Sequence, residues 1–188
     1  MAVSPGRRDL ILGLGTLVVY ALSPTLAGAQ TPPELLNWIP RALESGEAKT
    51  LTAACERIMP PTATPGASAF GVPQFVDRAI ADWCSPVEAD LLRRGLRNLE
   101  TAARAKFGPT FASLGPALQD ELIAAAASAS HSASPPFEAG FFPLLSDLVT
   151  AGYFTSEGGA TKVLRYDPVP GAYHGCVPLR EIGRAWVF

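Results

Sequence analysis

Catalysis and metal binding need convergent polar groups, and this chain has few residues of the types that supply them. Its two histidines, His131 and His174, fall in predicted loop segments without a partner at useful spacing. His131 lies in Ser130-His131-Ser132, but no Gly-x-Ser-x-Gly elbow accompanies it to place a nucleophile on a strand-to-helix turn. Gly158-Gly159 lacks the following Gly-Lys-Ser/Thr of a phosphate cradle, and no Gly-x-Gly-x-x-Gly offers a dinucleotide site. There is no Cys-x-x-Cys-His for covalent haem. His174 and Cys176 are two ligands at best, too few to hold a metal ion. The three cysteines, Cys55, Cys84 and Cys176, have spacings that match no zinc pattern. No catalytic, cofactor-binding or metal-binding residue is assigned.

The elements that would position a site read as helices. Apolar residues make up 48% of the 188-residue chain and charged residues 17%, a composition that collapses around a core. With 15 Lys and Arg against 17 Asp and Glu, and no block of either sign, there is no cationic surface for nucleic acid. Pro and Gly, 18 and 17 in number, punctuate short segments of helical periodicity. Six helices are predicted, forming a single small all-α bundle over residues 30–152. The first, Glu34 to Ser45, puts Leu35, Leu36, Ile39 and Leu43 on one face, with Pro40 kinking or dividing it. The second runs from Ala48 to Met59 and stops at Pro60-Pro61; the third runs from about Pro73 to Trp83. The fourth has the clearest start, since Ser85 can cap, Pro86 suits the first helical position and Glu88 completes a capping box. It ends at Gly108-Pro109, with Arg93, Arg94 and Arg97 on its solvated side. The fifth opens at Pro116 and passes through Ala124 to Ala127. The sixth, Phe137 to Gly152, carries a seam of Phe141, Phe142, Leu145, Leu148 and Val149. Residues 153–188 are rich in Gly, Pro and aromatics without a sustained helical period, and are expected to form an ordered, irregular C-terminal arm.

The first thirty residues have the order of an export signal. Arg7 and Arg8 precede an apolar run from Leu10 to Leu22, short of the roughly 20 residues that cross a bilayer. Ala27 and Ala29 supply the small residues of a cleavage site, so residues 1–29 are expected to be removed after Ala29; retention as an anchor is the other reading. The adjacent Arg pair, ahead of a moderately apolar stretch with Gly13, Gly15 and Thr16, looks like a twin-arginine signal, which exports folded proteins. A periplasmic location follows. Three cysteines in an oxidising compartment leave one thiol free, or bridged to another chain, after a single internal disulfide.

Two stretches carry a resemblance to a known family. The first is Cys55-Glu56-Arg57-Ile58-Met59-Pro60-Pro61-Thr62-Ala63-Thr64-Pro65-Gly66-Ala67, running on to Phe75-Val76-Asp77. The second is Tyr153-Phe154-Thr155-Ser156-Glu157-Gly158-Gly159-Ala160-Thr161-Lys162, followed by Leu164 through Tyr173-His174-Gly175-Cys176-Val177-Pro178. Together, over residues 48–178, they resemble the gluconate 2-dehydrogenase subunit 3 family, small exported subunits of flavin-dependent sugar or polyol dehydrogenases.

The resemblance implies a non-catalytic small subunit that binds no cofactor itself. FAD and the catalytic groups would belong to a large subunit of the glucose-methanol-choline oxidoreductase class, with haem c on a cytochrome subunit as electron acceptor. The complex would be periplasmic or membrane-associated. The large subunit would fold in the cytoplasm, dock this chain and cross the membrane through the twin-arginine translocase on this chain's signal. Pro65, Gly66 and Ala67 read as a turn in which Gly66 takes a positive φ, or as a contact with the large subunit. Tyr166, Pro170, Gly171, Tyr173, Gly175 and Cys176 are the expected interface, because a rigid aromatic arm offers large contact area. Cys176 is the first candidate for an intersubunit bridge. The alternatives are a stand-alone periplasmic binding or enzymatic domain using the arm as a pocket wall, and a structural envelope protein.

Overall fold

Ser85-Pro86-Val87-Glu88 folds as its residue types dictate. In the structure, a computed structural model describing residues 36–131, 140–169, 171–172 and 176–187, Glu88 N–H donates to Ser85 Oγ (3.3 Å) and Ser85 N–H to Glu88 Oε2 (2.8 Å). This box starts the longest described helix, Pro86–Phe107, which stops at Gly108 with φ +94°. Its inward stripe is Leu92, Gly95, Leu96, Leu99 and Ala103. Four other helices pack around it and one another: Ser45–Ile58 (α1), Val72–Asp82 (α2), Pro116–His131 (α4) and Phe141–Thr155 (α5), with Pro86–Phe107 as α3. Leu51, Val76, Leu92, Leu96, Phe111, Leu145 and Val149 form the buried centre, as expected of an all-α bundle. Aromatic rings press directly on helix backbone. A Cβ at Gly95 would lie 1.9 Å from the Phe141 ring, and one at Gly152 2.6 Å from Phe75.

The predicted first helix is absent from the described residues 36–44, and Leu35 lies outside them. The segment is a non-helical strap, with Ile39 91% exposed and Leu43 buried. Two causes combine. Pro40 has no N–H and biases Ile39 away from helical angles, and the carboxylate of Asp77 on α2 takes the N–H groups that a helix would have used. Asp77 accepts from Arg41 N (2.7 Å), Ala42 N (3.1 Å) and Leu43 N (3.1 Å). Arg93 donates to the Ala42 carbonyl and Arg41 pairs with Asp82 at 2.8 Å, so side chains of α2 and α3 pin the strap.

Three other boundaries differ from expectation. Glu44 and Glu47 form a capping box, so α1 begins at Ser45 rather than Ala48. Helix α4 extends to His131, which therefore closes a helix instead of lying in a loop. Gly152 does not stop α5, which continues through Tyr153 to Thr155; the expected start at Phe137 lies outside the described residues. A single wide turn, Gly159–Val163, follows, and its first N–H donates to Ser156 Oγ. Beyond it the arm is mainly irregular. It carries a four-residue helix, Leu179–Ile182 (α6), and a parallel pair of two-residue strands, Arg165–Tyr166 (β1) with Trp186–Val187 (β2).

Candidate functional site

The two stretches that carry the family resemblance meet in space, at a corner built by α1, α5 and the turns that follow each. Glu56 projects from the last turns of α1, and its Oε2 accepts the Ser68 N–H at 2.9 Å, holding the 3-10 turn Ala67–Phe70. Gly66 is needed for that contact. A Cβ there would lie 2.1 Å from Glu56 Oε1. Its φ is −75°, so the expected positive φ is corrected: close approach of the carboxylate, not an unusual backbone angle, requires glycine. Gly66 and Ala67 are buried inside the chain's own fold, while Pro65 is exposed.

Tyr153 joins the second stretch to the first. Its hydroxyl donates to the Pro65 carbonyl (2.8 Å) and lies 3.2 Å from Thr64 Oγ1, and its ring packs 5.1 Å from that of Phe70. The glycine pair completes the corner. A Cβ at Gly158 would lie 2.3 Å from the Phe70 ring, and one at Gly159 1.9 Å from the Tyr153 carbonyl oxygen. Ser156 Oγ receives the Gly159 N–H at 2.9 Å and donates to that same carbonyl at 2.7 Å. The Gly-rich string is thus a packing device rather than a phosphate loop.

From this corner the arm projects exposed apolar side chains. Tyr166 is 52% exposed, Val169 81% and Trp186 42%, with the Arg165 guanidinium 4.0 Å from the centre of the Trp186 ring. Gly171, at φ +34°, and Cys176 are exposed too. Pro170, Tyr173 and Gly175 lie outside the described residues, as do Arg7, Arg8, Ala27, Ala29 and His174.

The cysteines occupy three different environments, and all are free thiols. Cys55 is buried on α1; desolvation, with the Glu56 charge adding, pushes its thiol far up from the ordinary value. Cys84 is half-buried and raised by burial and then by Glu88, whereas Cys176 is exposed. The arginines of α3 are engaged within the chain. Besides Arg93, Arg94 pairs with Asp90 (2.9 Å) and Arg97 with Glu47 (2.7 Å).

Among the described residues no group of three His, Cys, Asp or Glu could hold a metal ion, and no helix is long and apolar enough to cross a membrane. One cavity of about 400 Å³ lies between α1, the strap, the start of α2 and the turn Phe111–Ser113; a second, apolar one lies between α3, α4 and α5. Neither takes a wall from the described arm, unlike the pocket of the stand-alone alternative. Sequence reasoning missed Asp77 and Glu56. Asp77 was detectable as an acid on an apolar stripe, between Val76 and Ile80.

The described geometry thus has two parts, an internal corner that locks two signature stretches together and an arm that carries exposed aromatics away from it. Neither the curated proteins nor the solved structures include a match to the chain. The family profile described as Gluconate 2-dehydrogenase subunit 3 matches residues 45–171, which contain the whole corner and the first part of the arm. The chain belongs to the gluconate 2-dehydrogenase subunit 3 family.

Proposed function

We propose that this chain is the non-catalytic small subunit of a periplasmic or membrane-associated flavoprotein dehydrogenase acting on a sugar, sugar acid or polyol. It escorts the FAD-bearing large subunit through export on the Arg7-Arg8 signal and stabilises it afterwards, with a cytochrome c subunit taking the electrons. Family membership supports a place in a multi-subunit dehydrogenase. The observation that carries the docking role is the arm. Tyr166, Val169 and Trp186 stand exposed on a segment anchored at Tyr153 and tied at its far end by the β1–β2 pair. Exposed aromatics on an ordered frame lose little conformational freedom on docking, which suits an interface centre. Pro65 stands beside the anchor, on the carbonyl that Tyr153 holds.

Affinity purification of the chain from the periplasm, followed by an absorbance spectrum, tests this. A yellow complex is expected, with sharp haem bands if the cytochrome is present. Changing Arg7 and Arg8 together to Lys should leave both this chain and the flavoprotein in the cytoplasm. A large subunit that is exported, flavin-loaded and fully active without this chain would overturn the escort role. A purified chain that oxidises a carbohydrate unaided would overturn the whole reading.

A further inference from the structure

The arm handles its charges differently from the bundle. In the bundle Arg41, Arg57, Arg94, Arg97, Arg104 and Lys106 each pair with a carboxylate of the chain. Lys49 and Arg78 do not, and they stand on different helices, α1 and α2. Among the described residues no cation of the arm has an acidic partner, although Lys162, Arg165, Arg180 and Arg184 are all exposed. The arm's own acids leave them unanswered. Asp167 accepts the Val169 N–H (3.3 Å), and Glu181 is exposed on α6 without an ion pair among the described residues.

The fold gathers three of these cations at the neck of the arm. Arg184 Nη1 donates to the Lys162 carbonyl (2.8 Å), and the Arg165 N–H donates to the Ala185 carbonyl (2.8 Å), so Lys162, Arg165 and Arg184 are neighbours. The Trp186 ring, 4.0 Å from the Arg165 guanidinium, covers one face of that group and leaves its in-plane N–H fork without an acceptor among the described residues. Like charges held together repel one another, and a complementary surface relieves that repulsion. Exposed Tyr166 and Trp186 beside them are residues of an interface centre. The backbone offers no anion nest here, because the N–H groups of Arg165 and Asp167 are spent on the strand pair at 2.8 and 3.0 Å. Side-chain forks alone suit planar carboxylates better than phosphate.

We propose that the neck of the arm docks on an acidic segment of the large subunit. One carboxylate takes the Arg165 fork, a second lies against Lys162 and Arg184, and Tyr166 and Trp186 cover the apolar side chains beside them. This rests on the docking role of the arm and names the chemistry of the surface it meets.

The complex of the full tagged chain with its flavoprotein, followed by flavin absorbance, tests the assignment. Raising NaCl from about 0.05 to 0.5 M should weaken it about tenfold. Lys162→Gln should weaken it about threefold and Arg165→Gln about fivefold, while Arg78→Gln, which removes a lone bundle cation, should not change it. Lys162→Gln keeps the carbonyl that holds Arg184, so its result stands even where Arg165→Gln disturbs the arm. Hexaglutamate at about 1 mM should displace the flavoprotein, and inorganic phosphate at equal ionic strength should not. A complex indifferent to salt and to both neck variants, or equal displacement by phosphate, would overturn the acidic partner and leave docking standing. Binding of the chain to phosphatidylglycerol vesicles through Lys162 and Arg165, with the flavoprotein complex unaffected by either substitution, would assign the neck to lipid instead. A wild-type chain that retains no flavoprotein at either salt would remove the docking role itself.

Discussion

Asp77 should be the most consequential single carboxylate in the fold. Its two oxygens receive three successive backbone N–H groups from the strap, and the residue itself is 1% exposed. Asp77→Asn is the sharpest perturbation, because it keeps the shape and removes half of the accepting capacity. One amide oxygen can still serve Ala42 and Leu43, where Asp77 Oδ1 sits, but the NH2 group then faces the Arg41 N–H, donor against donor. A hydrogen bond to a charged acceptor contributes about 1.5–3 kcal/mol. Losing one outright and weakening two should cost about 3 kcal/mol, not the full sum, because bonds sharing one acceptor are not additive. With a urea slope of about 2 kcal/mol per molar, the unfolding midpoint should fall by about 1.5 M. If the strap opens alone, the same energy appears locally. Trypsin cleavage after Arg41, whose side chain is exposed, should then accelerate about a hundredfold. Both assays belong together, since global unfolding moves the first and strap release the second. A midpoint within about 0.3 M of wild type with cleavage at Arg41 unchanged would refute the pinning argument.

Gly159→Ala should destabilise by about 3 kcal/mol, because the new methyl meets the Tyr153 carbonyl, a backbone atom that cannot swing aside. Gly46→Ala, in open space in the first turn of α1, should instead stabilise by about 0.5–1 kcal/mol; chemical denaturation of the pair checks the contrast. The Glu88 carboxyl is held below its ordinary value by the Ser85 N–H and then the Ser85 hydroxyl. The stability it contributes is therefore present above the unfolded value and lost as pH falls through the lower folded one. An NMR titration should place it below the usual glutamate range, and Ser85→Ala should raise it only partway, since the backbone bond persists. Thiol titration of the native chain should label Cys176 first and Cys84 more slowly. Cys55 should react only after denaturant is added, and its labelling in the native state would contradict its burial.

What was legible in the sequence was mostly what is settled locally. Ser85, Pro86 and Glu88 lie within four residues of one another, and Gly108-Pro109 stops the same helix, so α3 could be read to the residue. The strap could not be read this way. Pro40 signalled a break, but the acceptor that makes a non-helical path stable is Asp77, 36 residues from Arg41 in sequence. Gly152 was ambiguous by itself, because a glycine that ends a helix and one that admits a ring look alike until Phe75 is placed against it. The corner shows both sides. Its two strings were recognisable as strings, yet the reason for Gly66 lies in Glu56 and the reason for Gly158 in Phe70. Pro65, Gly66 and Ala67 were read as one contact unit, but only Pro65 reaches the surface, since the neighbouring glycine and alanine fill the interior.

The short pairing of Arg165–Tyr166 with Trp186–Val187 makes a ring of what would otherwise be a tail. A ring has already given up much of the conformational freedom that an open segment would lose when another molecule seizes it. The described residues between the two strands, Cys176 among them, are therefore fastened at both ends, and any pull on them reaches the Gly159–Val163 turn at two points. One is the Gly159 carbonyl, which accepts the Leu164 N–H, and the other is the Lys162 carbonyl, which accepts from the Arg184 guanidinium.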